Sequence, residues 1–348
     1  MDFDFTDEQN MVRDGISRLI REQYDFDTRR NVIASDSGWR PELWAQLAEL
    51  GMLAAPFSEE DGGFGGATEA MIIMEEFGKG LAVEPFIPSV VCAGGFLKHG
   101  GSAAQREEYI EPRGRYDLAN LETTAKADGG DYVLNGHKAV VIGAPWATHL
   151  VVTARTSGGQ TDKDGVSVFI VDKAAQGVST RDYATVDGRR ASEVYFENVK
   201  VSGDALIGEA GNSLPLIEKV VDEATAAVCA EAVGAMKVTN ATTLDYSRQR
   251  KQFGVPIGSF QVLQHRMADM LMEYEQSVSM CYLATIKLDE DDATRKKNVS
   301  AAKVRIGQSA RFIGQSAIQT HGGMGMTDEL AVGSYFKRLS IIEGEFGS

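Results

Sequence analysis

The chain has only three cysteines among its 348 residues, and none of them stands at the short spacing of a metal site. Cys92, Cys229 and Cys281 each lie in an apolar run, which predicts buried and reduced thiols. This scarcity argues against a disulfide framework and against a cysteine-ligated metal.

Long apolar runs are also lacking. No stretch reaches the roughly 20 apolar residues that a membrane-spanning helix needs, so no membrane span is expected. Residues 1–6 are acidic and are not followed by an apolar run, which is unlike a secretory signal. From the sequence we expect a cytoplasmic protein.

Positive charge is in deficit, with 35 Lys and Arg against 50 Asp and Glu and a net charge of -15. Such a balance cannot neutralise phosphates in bulk, which argues against nucleic acid as a partner. The net charge does not exclude a small anionic ligand, because the binding of such a ligand depends on local basic residues.

The first part of the chain has a helical pattern. Thr6 and Gln9 stand at the spacing of a capping box. The apolar residues that follow share one helix face: Val12, Ile16, Leu19 and Ile20. A second helix is predicted over residues 41–51, with proline in its first turn and glycine at its end, and a third over residues 69–79.

After Tyr116 the pattern changes to short β-rich runs. Residues 132–142 contain two such runs joined at Asn135-Gly136, a strong hairpin signal. Further runs over residues 149–156, 166–171 and 194–201 predict a compact antiparallel barrel or sandwich.

From residue 212 onward the pattern is helical again, with predicted segments over residues 213–237, 238–251, 259–288 and 294–320. Frequent small residues favour close packing of these helices as a bundle. The predicted fold is therefore α+β, with an N-terminal helical domain over residues 1–110, a middle antiparallel β domain over 111–210 and a C-terminal bundle over 211–348.

Two segments of the bundle carry the most specific pattern. Residues 250–261 read Arg-Lys-Gln-Phe-Gly-Val-Pro-Ile-Gly-Ser-Phe-Gln, and residues 319–327 read Gln-Thr-His-Gly-Gly-Met-Gly-Met-Thr. Each places a planar donor, Arg250 or Gln319, beside glycines that let a phosphate approach the backbone. The plainer alternatives are a surface charge at Arg250 and a simple helix end at the glycines.

These segments, in an α–β–α order, resemble the acyl-CoA dehydrogenase family over essentially the whole chain. Residues 50–66, 135–138 and 206–209 support the resemblance. Within the family, residues 1–6, 115–118 and 335–339 look most like the small subunit of pimeloyl-CoA-type dehydrogenases and like subunits of heteromeric steroid-type enzymes. The resemblance implies FAD bound at a subunit interface and oxidation of the α–β bond of an acyl-CoA thioester.

The resemblance also assigns cofactor contacts. One segment would reach the dinucleotide of a neighbouring subunit through Arg250, Gln252, Phe253 and Gln261. The other would meet the adenine–pyrophosphate end through Gln319, Gly322 and Gly323.

The β-domain positions depart from the family pattern. Val140 and Ile142 stand where relatives carry Trp and Thr beside the isoalloxazine ring, and Ile110 and Tyr116 replace a Thr and a Ser. Losing polar contacts should change how the ring's redox potential is set. Relatives are also expected to carry a further turn and strand before residue 111 and a further helix after residue 348.

The base position departs most. The catalytic glutamate of the family falls on Phe346, which cannot accept a proton, and a second location used by some members falls on Ala224, beside Glu223. Glu343 and Glu345 are close in sequence, and Glu343 is the better candidate base. A solvated or ion-paired carboxylate is the plainer interpretation for both.

Three hypotheses follow. The favoured one is a subunit of a heteromeric FAD-dependent acyl-CoA dehydrogenase whose homologous partner supplies the glutamate. The second is a self-sufficient homo-oligomer using Glu343, Glu345 or Glu223, and the third is a structural or regulatory subunit without FAD. The resemblance suggests a dicarboxylyl-, branched or steroid-derived acyl-CoA, with electron-transferring flavoprotein as the acceptor. The expected pocket residues are Glu84, Phe86, Val90 and Phe96.

Overall fold

The computed structural model describes residues 5–102 and 118–347. The first helices are α1 (Asp7–Gln23), α2 (Phe26–Ala34), α3 (Pro41–Glu49) and α4 (Ala67–Gly80), then a π-helix (Ile87–Ala93) and α5 (Gly94–Gly100). The capping box is confirmed, because the Gln9 amide donates to Thr6 Oγ1 at 3.2 Å while the Thr6 amide donates to Gln9 Oε1 at 3.1 Å. No helix in the described ranges is both long and apolar enough to cross a membrane.

A sheet follows the first helices. Its strands are β1 (Thr124–Asp128), β2 (Asp131–Ile142), β3 (His149–Arg155), β4 (Val166–Asp172), β5 (Val178–Ala184), β6 (Arg190–Val201) and β7 (Leu206–Ile207). Their order across the sheet is β5-β6-β2-β1-β3-β4-β7. Every neighbouring pair is antiparallel except β1 and β3, so the prediction of a mainly antiparallel β domain is confirmed.

The hairpin predicted at Asn135-Gly136 is wrong. β2 runs through both residues, and the chain reverses earlier, at Gly129-Gly130 between β1 and β2. Gly136 has another role, because a Cβ there would lie 2.6 Å from the Cα of Thr123. Two backbone segments therefore approach closely at Gly136. Glycine is favoured at such close approaches as well as in turns.

The C-terminal helices are α6 (Leu214–Gln249), α7 (Gln261–Ile286), α8 (Asp292–His321) and α9 (Val332–Gly344). A two-residue β8 (Lys251–Gln252) and β9 (Val255–Pro256) stand between α6 and α7. The predicted break between residues 237 and 238 is wrong, since α6 continues for 36 residues. Thr239 and Thr243 donate their hydroxyls to carbonyls one turn back, which satisfies these polar groups without ending the helix.

Contacts divide the chain into two compact units. Among the described residues, one unit contains residues 56–64, 84–102 and 118–224. Its sheet packs around a core that includes Leu134, Val152, Phe169, Val194 and Phe196. The other contains residues 5–55, 65–83 and 225–347, and its core includes Met236, Ile306, Ile313, Leu339 and Ile342.

In the second of these units, α4 and α6 touch through glycines. A Cβ on Gly78 would lie 2.0 Å from the carbonyl oxygen of Glu231, and one on Gly234 would lie 1.9 Å from that of Glu75. The two helix backbones are therefore in direct contact, and neither position has room for a side chain.

We expect Gly234→Ala to lower the free energy of unfolding by about 2 kcal/mol. Overpacking costs roughly 1–3 kcal/mol and rigid backbone puts this site at the upper end, while the better helix propensity of alanine returns about 1 kcal/mol. Denaturant unfolding measures the difference. Gly130→Ala is the control, since its Cβ would meet nothing within 4 Å, and equal stability of the two variants would contradict the packing argument.

Candidate active site

The Arg250 segment forms a tight loop after α6. The Arg250 amide donates to the carbonyl of Tyr246 at 2.8 Å, and its own carbonyl accepts from the Ile257 amide at 2.8 Å. β8 and β9 pair around Phe253 and Gly254, whose φ angles are 53° and 84°. Two-residue turns of this kind favour glycine or asparagine, so Phe253 holds a backbone conformation that aromatic residues rarely adopt.

The turn displays Phe253 to solvent. The residue is 92% exposed, and its ring meets Phe260 edge to face with the centroids 6.1 Å apart. Gln252 in β8, Gln261 at the start of α7 and Arg250 are also exposed. The structure thus brings these four predicted contact residues onto one accessible loop and the helix that follows it.

The second predicted segment lies at the end of α8. Gln319 is in the last turn, and Gly322 ends the helix with φ 60° and an amide that donates to the carbonyls of Gln319 and Ile318. A Cβ on Gly322 or Gly323 would meet nothing within 4 Å. The backbone here is open to a ligand on the side where a side chain would stand.

Two residues that sequence reasoning missed join these segments. The Tyr246 ring from α6 stacks on the His321 ring from α8 with centroids 4.3 Å apart. The Tyr246 hydroxyl donates to the His321 carbonyl at 3.3 Å, and His321 Nδ1 donates to the Ala317 carbonyl at 2.9 Å. In the sequence, the only indication of this contact is that Tyr246 lies one helical turn before Arg250 and that His321 directly precedes Gly322.

The predicted base position carries Phe346, and the two acidic residues near it in sequence are bound by arginines. Phe346 has φ 58°. The Glu343 carboxylate accepts two hydrogen bonds from the Arg311 guanidinium, one of them at 2.9 Å. Glu345 accepts from Arg338 Nη1 at 2.9 Å. Each of the two nearby carboxylates therefore has an arginine partner that donates charge-assisted hydrogen bonds to it.

Arg338 is the centre of a buried network. Its guanidinium donates to both carboxylate oxygens of Glu231 in α6, at 2.5 and 2.7 Å, and the two residues are 3% and 1% exposed. Lys303 in α8 donates to the Glu343 carbonyl at 2.8 Å and to the Gly347 carbonyl. The end of α9 is thus held by side chains from two other helices.

Val140 and Ile142 lie at the end of β2. The register against β6 shifts between Lys138 and Val141, so β2 carries an extra residue there, a β-bulge. Val140 sits in the bulge with φ 54°. A β-branched residue in this conformation costs about 1–3 kcal/mol and persists only where its surroundings impose it.

In the sheet-containing unit, the expected pocket residues are all buried: Glu84, Phe86, Val90 and Phe96. Ala224 is 0% exposed, and Glu223 beside it places Oε1 2.6 Å from His99 Nε2. Ile110 and Tyr116 lie outside the described residues. In the ranges that the structure covers, no group of three or more His, Cys, Asp or Glu is arranged to hold a metal ion.

Comparison with known proteins identifies the family. Family models for the N-terminal, middle and C-terminal domains of acyl-CoA dehydrogenases match residues 6–115, 109–199 and 214–347. A probable acyl-CoA dehydrogenase of Bacillus subtilis (strain 168), YngJ, is 28% identical over 99% of this chain and 95% of its own length. The chain belongs to the acyl-CoA dehydrogenase family, whose members are oxidoreductases.

Solved structures agree. The FAD complex of PigA is 26% identical, covers 100% of this chain and 96% of that chain, and has a TM-score of 0.89. A variant of the Tcur3481-Tcur3483 steroid ACAD is 27% identical with a TM-score of 0.87, covering 98% of this chain and 94% of that chain. The predicted family and three-part fold are therefore confirmed.

We expect Arg338→Ala to lower the free energy of unfolding by about 3–5 kcal/mol, because it leaves the Glu231 carboxylate buried and unpaired. Chemical denaturation measures the loss. Arg30→Ala is the matched control, since the Arg30 side chain is 52% exposed and pairs with Asp27 at 3.8 Å. An exposed pair of this kind contributes about 0–1 kcal/mol. Similar losses in both variants would contradict the role of the buried network.

Burial lowers the pKa of His321 below its usual value, so the folded protein keeps this ring neutral. The unfolded chain then binds the additional proton, and the free energy of unfolding falls as pH drops below about 6.5. His321→Phe keeps an aromatic ring against Tyr246 but cannot titrate, and we expect a weaker loss of stability on acidification.

Denaturant midpoints at several pH values between about 7.5 and 5.5 measure this difference. His265→Phe is the control, because His265 lies on the exposed face of α7. If His321→Phe loses as much stability as the unsubstituted protein on acidification, the argument from burial is wrong.

Proposed function

We propose that the chain is one subunit of an FAD-dependent acyl-CoA dehydrogenase that introduces an α,β double bond into an acyl-CoA thioester, with the catalytic glutamate supplied by a homologous partner. The observation that carries this proposal is the state of the base position. Phe346 stands where the family resemblance predicts the base, and the nearest carboxylates in sequence are bound by Arg311 and Arg338.

The reaction requires a base for the α proton, a hydride acceptor for the β hydrogen, and hydrogen bonds that polarise the thioester carbonyl. Bound FAD supplies the hydride acceptor. A carboxylate whose oxygens accept hydrogen bonds from a guanidinium must leave that partner before it can take a proton from carbon. Glu343 and Glu345 therefore suit a structural role better than proton abstraction.

The surface of this chain fits the dinucleotide. Arg250 offers a planar cation for the pyrophosphate, and Phe253 offers an exposed ring for stacking. Gly322 and Gly323 leave room for a phosphate against the backbone, with Gln319 as a neighbouring donor. Gln252 and Gln261 would bind polar atoms of the dinucleotide of a neighbouring subunit. Val140 and Ile142 would contact an isoalloxazine ring through apolar surface.

The C-terminal helices also present a surface suited to a second subunit. α7 leaves large apolar side chains in solvent, among them Val262 (69% exposed), Leu271 (54%) and Met272 (55%). A mainly apolar cleft of about 740 Å³ lies between α6 and α7, with Leu244, Met267 and Tyr274 in its lining. An apolar cleft with exposed apolar side chains beside it is typical of protein interfaces. A homologous acyl-CoA dehydrogenase subunit is the partner we propose for it.

The substrate and acceptor follow from relatives. The Tcur3481-Tcur3483 structure is described as a steroid ACAD, which supports a steroid-derived or similarly bulky acyl-CoA, with dicarboxylyl and branched acyl groups as alternatives. Electron-transferring flavoprotein is the proposed acceptor of the electrons.

A second function is favoured by one observation. The Arg311 side chain that binds Glu343 is 61% exposed, and exposed ion pairs are weak. Glu343 could therefore be released and act as the base of a self-sufficient homo-oligomer.

Glu343→Gln separates the two functions in the enzyme purified with its homologous partner. We expect the flavin absorption band to appear in the assembled protein and the turnover to stay within about twofold, because the base lies elsewhere. If Glu343 is the base, turnover falls by about 10²–10⁴-fold. Desaturation of acyl-CoA with an artificial electron acceptor measures the rate.

Glu329→Gln is the control, since Glu329 is an exposed carboxylate in the same part of the chain. The chain expressed alone provides the other comparison. A yellow, active protein without a partner would overturn the heteromeric proposal. A colourless protein both with and without a partner would indicate a structural subunit and overturn both enzymatic readings.

A further inference from the structure

The bulge in β2 removes the Val140 amide from the hydrogen-bonding pattern between β2 and β6. Two residues of β2, Ala139 and Val140, stand between the paired residues Lys138 and Val141, and a single residue of β6, Glu193, faces them. An extra residue in a bulge is left out of the ladder hydrogen bonds. The Val140 amide therefore needs another acceptor.

Glu193 supplies that acceptor from the opposite strand. Its Oε1 accepts from the Val140 amide at 3.3 Å and from the Tyr183 hydroxyl in β5 at 2.8 Å, and its Oε2 lies 2.7 Å from His137 Nε2 in β2. The Tyr183 hydroxyl is the largest cause of a pKa of Glu193 below its usual value. The carboxylate is thus charged at neutral pH and bonded to the two strands that flank its own, β5 and β2.

The ring of His137 is itself held in place. It stacks on Tyr195 of β6 with centroids 4.5 Å apart and the planes 16° from parallel. Tyr195 and Glu193 are two residues apart on one strand, so they project from the same face of the sheet. The arrangement fixes both carboxylate oxygens of Glu193, and with them the amide of the strained Val140.

We propose that Glu193 is a positioning residue for the flavin ring, acting through the Val140 amide to fix the β2 bulge against which the ring lies. This inference rests on the proposed function, which places Val140 and Ile142 beside the isoalloxazine. While the amide is bonded to Glu193 it is withheld from the ring. Hydrogen bonds to a flavin ring shift its reduction potential. Releasing the bulge would therefore change that potential and not merely the stability of the sheet.

Three variants test the proposal in the FAD-loaded enzyme and in the protein without FAD. Glu193→Ala removes the acceptor. Glu193→Gln keeps an acceptor oxygen for Val140 and Tyr183 but removes the charge. Glu197→Ala is the control, because Glu197 is an exposed carboxylate on the same strand and takes no part in the network.

Two measurements are made on each variant. Amide hydrogen exchange in a peptide covering residues 138–143, measured without FAD, reports the Val140 amide. We expect exchange about five- to tenfold faster in Glu193→Ala, the effect of one lost hydrogen bond. Titration of the bound flavin against a reference dye reports the reduction potential. The comparison is made with the unsubstituted enzyme at the same ratio of oxidised to reduced dye. We expect the ratio of oxidised to reduced flavin to change at least severalfold in Glu193→Ala and little in Glu193→Gln.

Several results would overturn the proposal. Unchanged exchange in Glu193→Ala would show that the carboxylate does not hold the bulge. Faster exchange with an unchanged flavin potential would leave Glu193 a purely structural residue, and an equal shift in Glu193→Gln would assign the effect to charge. A different pattern would show that the proposed function fails. In that case the unsubstituted protein binds no FAD, while the amides of residues 138–143 still exchange faster in Glu193→Ala.

Discussion

The buried ion pair between Arg338 and Glu231 is the constraint on which the candidate active site depends. It joins α9 to the middle of α6 where both side chains are almost fully removed from water. A buried guanidinium needs its carboxylate, because an unpaired charge in that position costs several kcal/mol. The same arginine also binds Glu345, so one of the two acids beside the predicted base position is held by the structural network.

That network extends to the end of α9, next to Phe346. Lys303 binds the carbonyls that end α9, and Arg311 binds Glu343, so the end of α9 is held without an acid at position 346. The chain keeps an accessible loop at Arg250 and open glycines at Gly322 and Gly323. The arginine-bound carboxylates, the exposed loop and the open glycines lie in the same unit, and the proposal of a partner-supplied base rests on this combination.

Several residues with strained backbone conformations coincide with the predicted site residues. Among the described residues, left-handed φ angles outside glycine occur at Leu81, Val140, Asn198, Phe253 and Phe346. Three of these five are positions that the family resemblance connects with the cofactor or the base. Strained conformations persist where surrounding contacts impose them, and they accumulate at functional sites. The Val140 amide donates to Glu193, a contact that no sequence pattern indicated.

Local signals in the sequence were sufficient for the family, the α–β–α order, the capping box at Thr6 and the exposed loop at Arg250, because these depend on neighbouring residues and on spacing. The hairpin predicted at Asn135-Gly136 is wrong because Gly136 serves a close backbone approach inside β2. The break predicted between residues 237 and 238 is wrong because threonine hydroxyls bond to carbonyls inside α6 and the helix continues. Only the tertiary structure decided that Glu343 meets Arg311, that Glu345 meets Arg338 and that Glu193 meets Val140. These contacts join residues far apart in the chain, and the charge of a carboxylate does not reveal in sequence which distant partner it will bind.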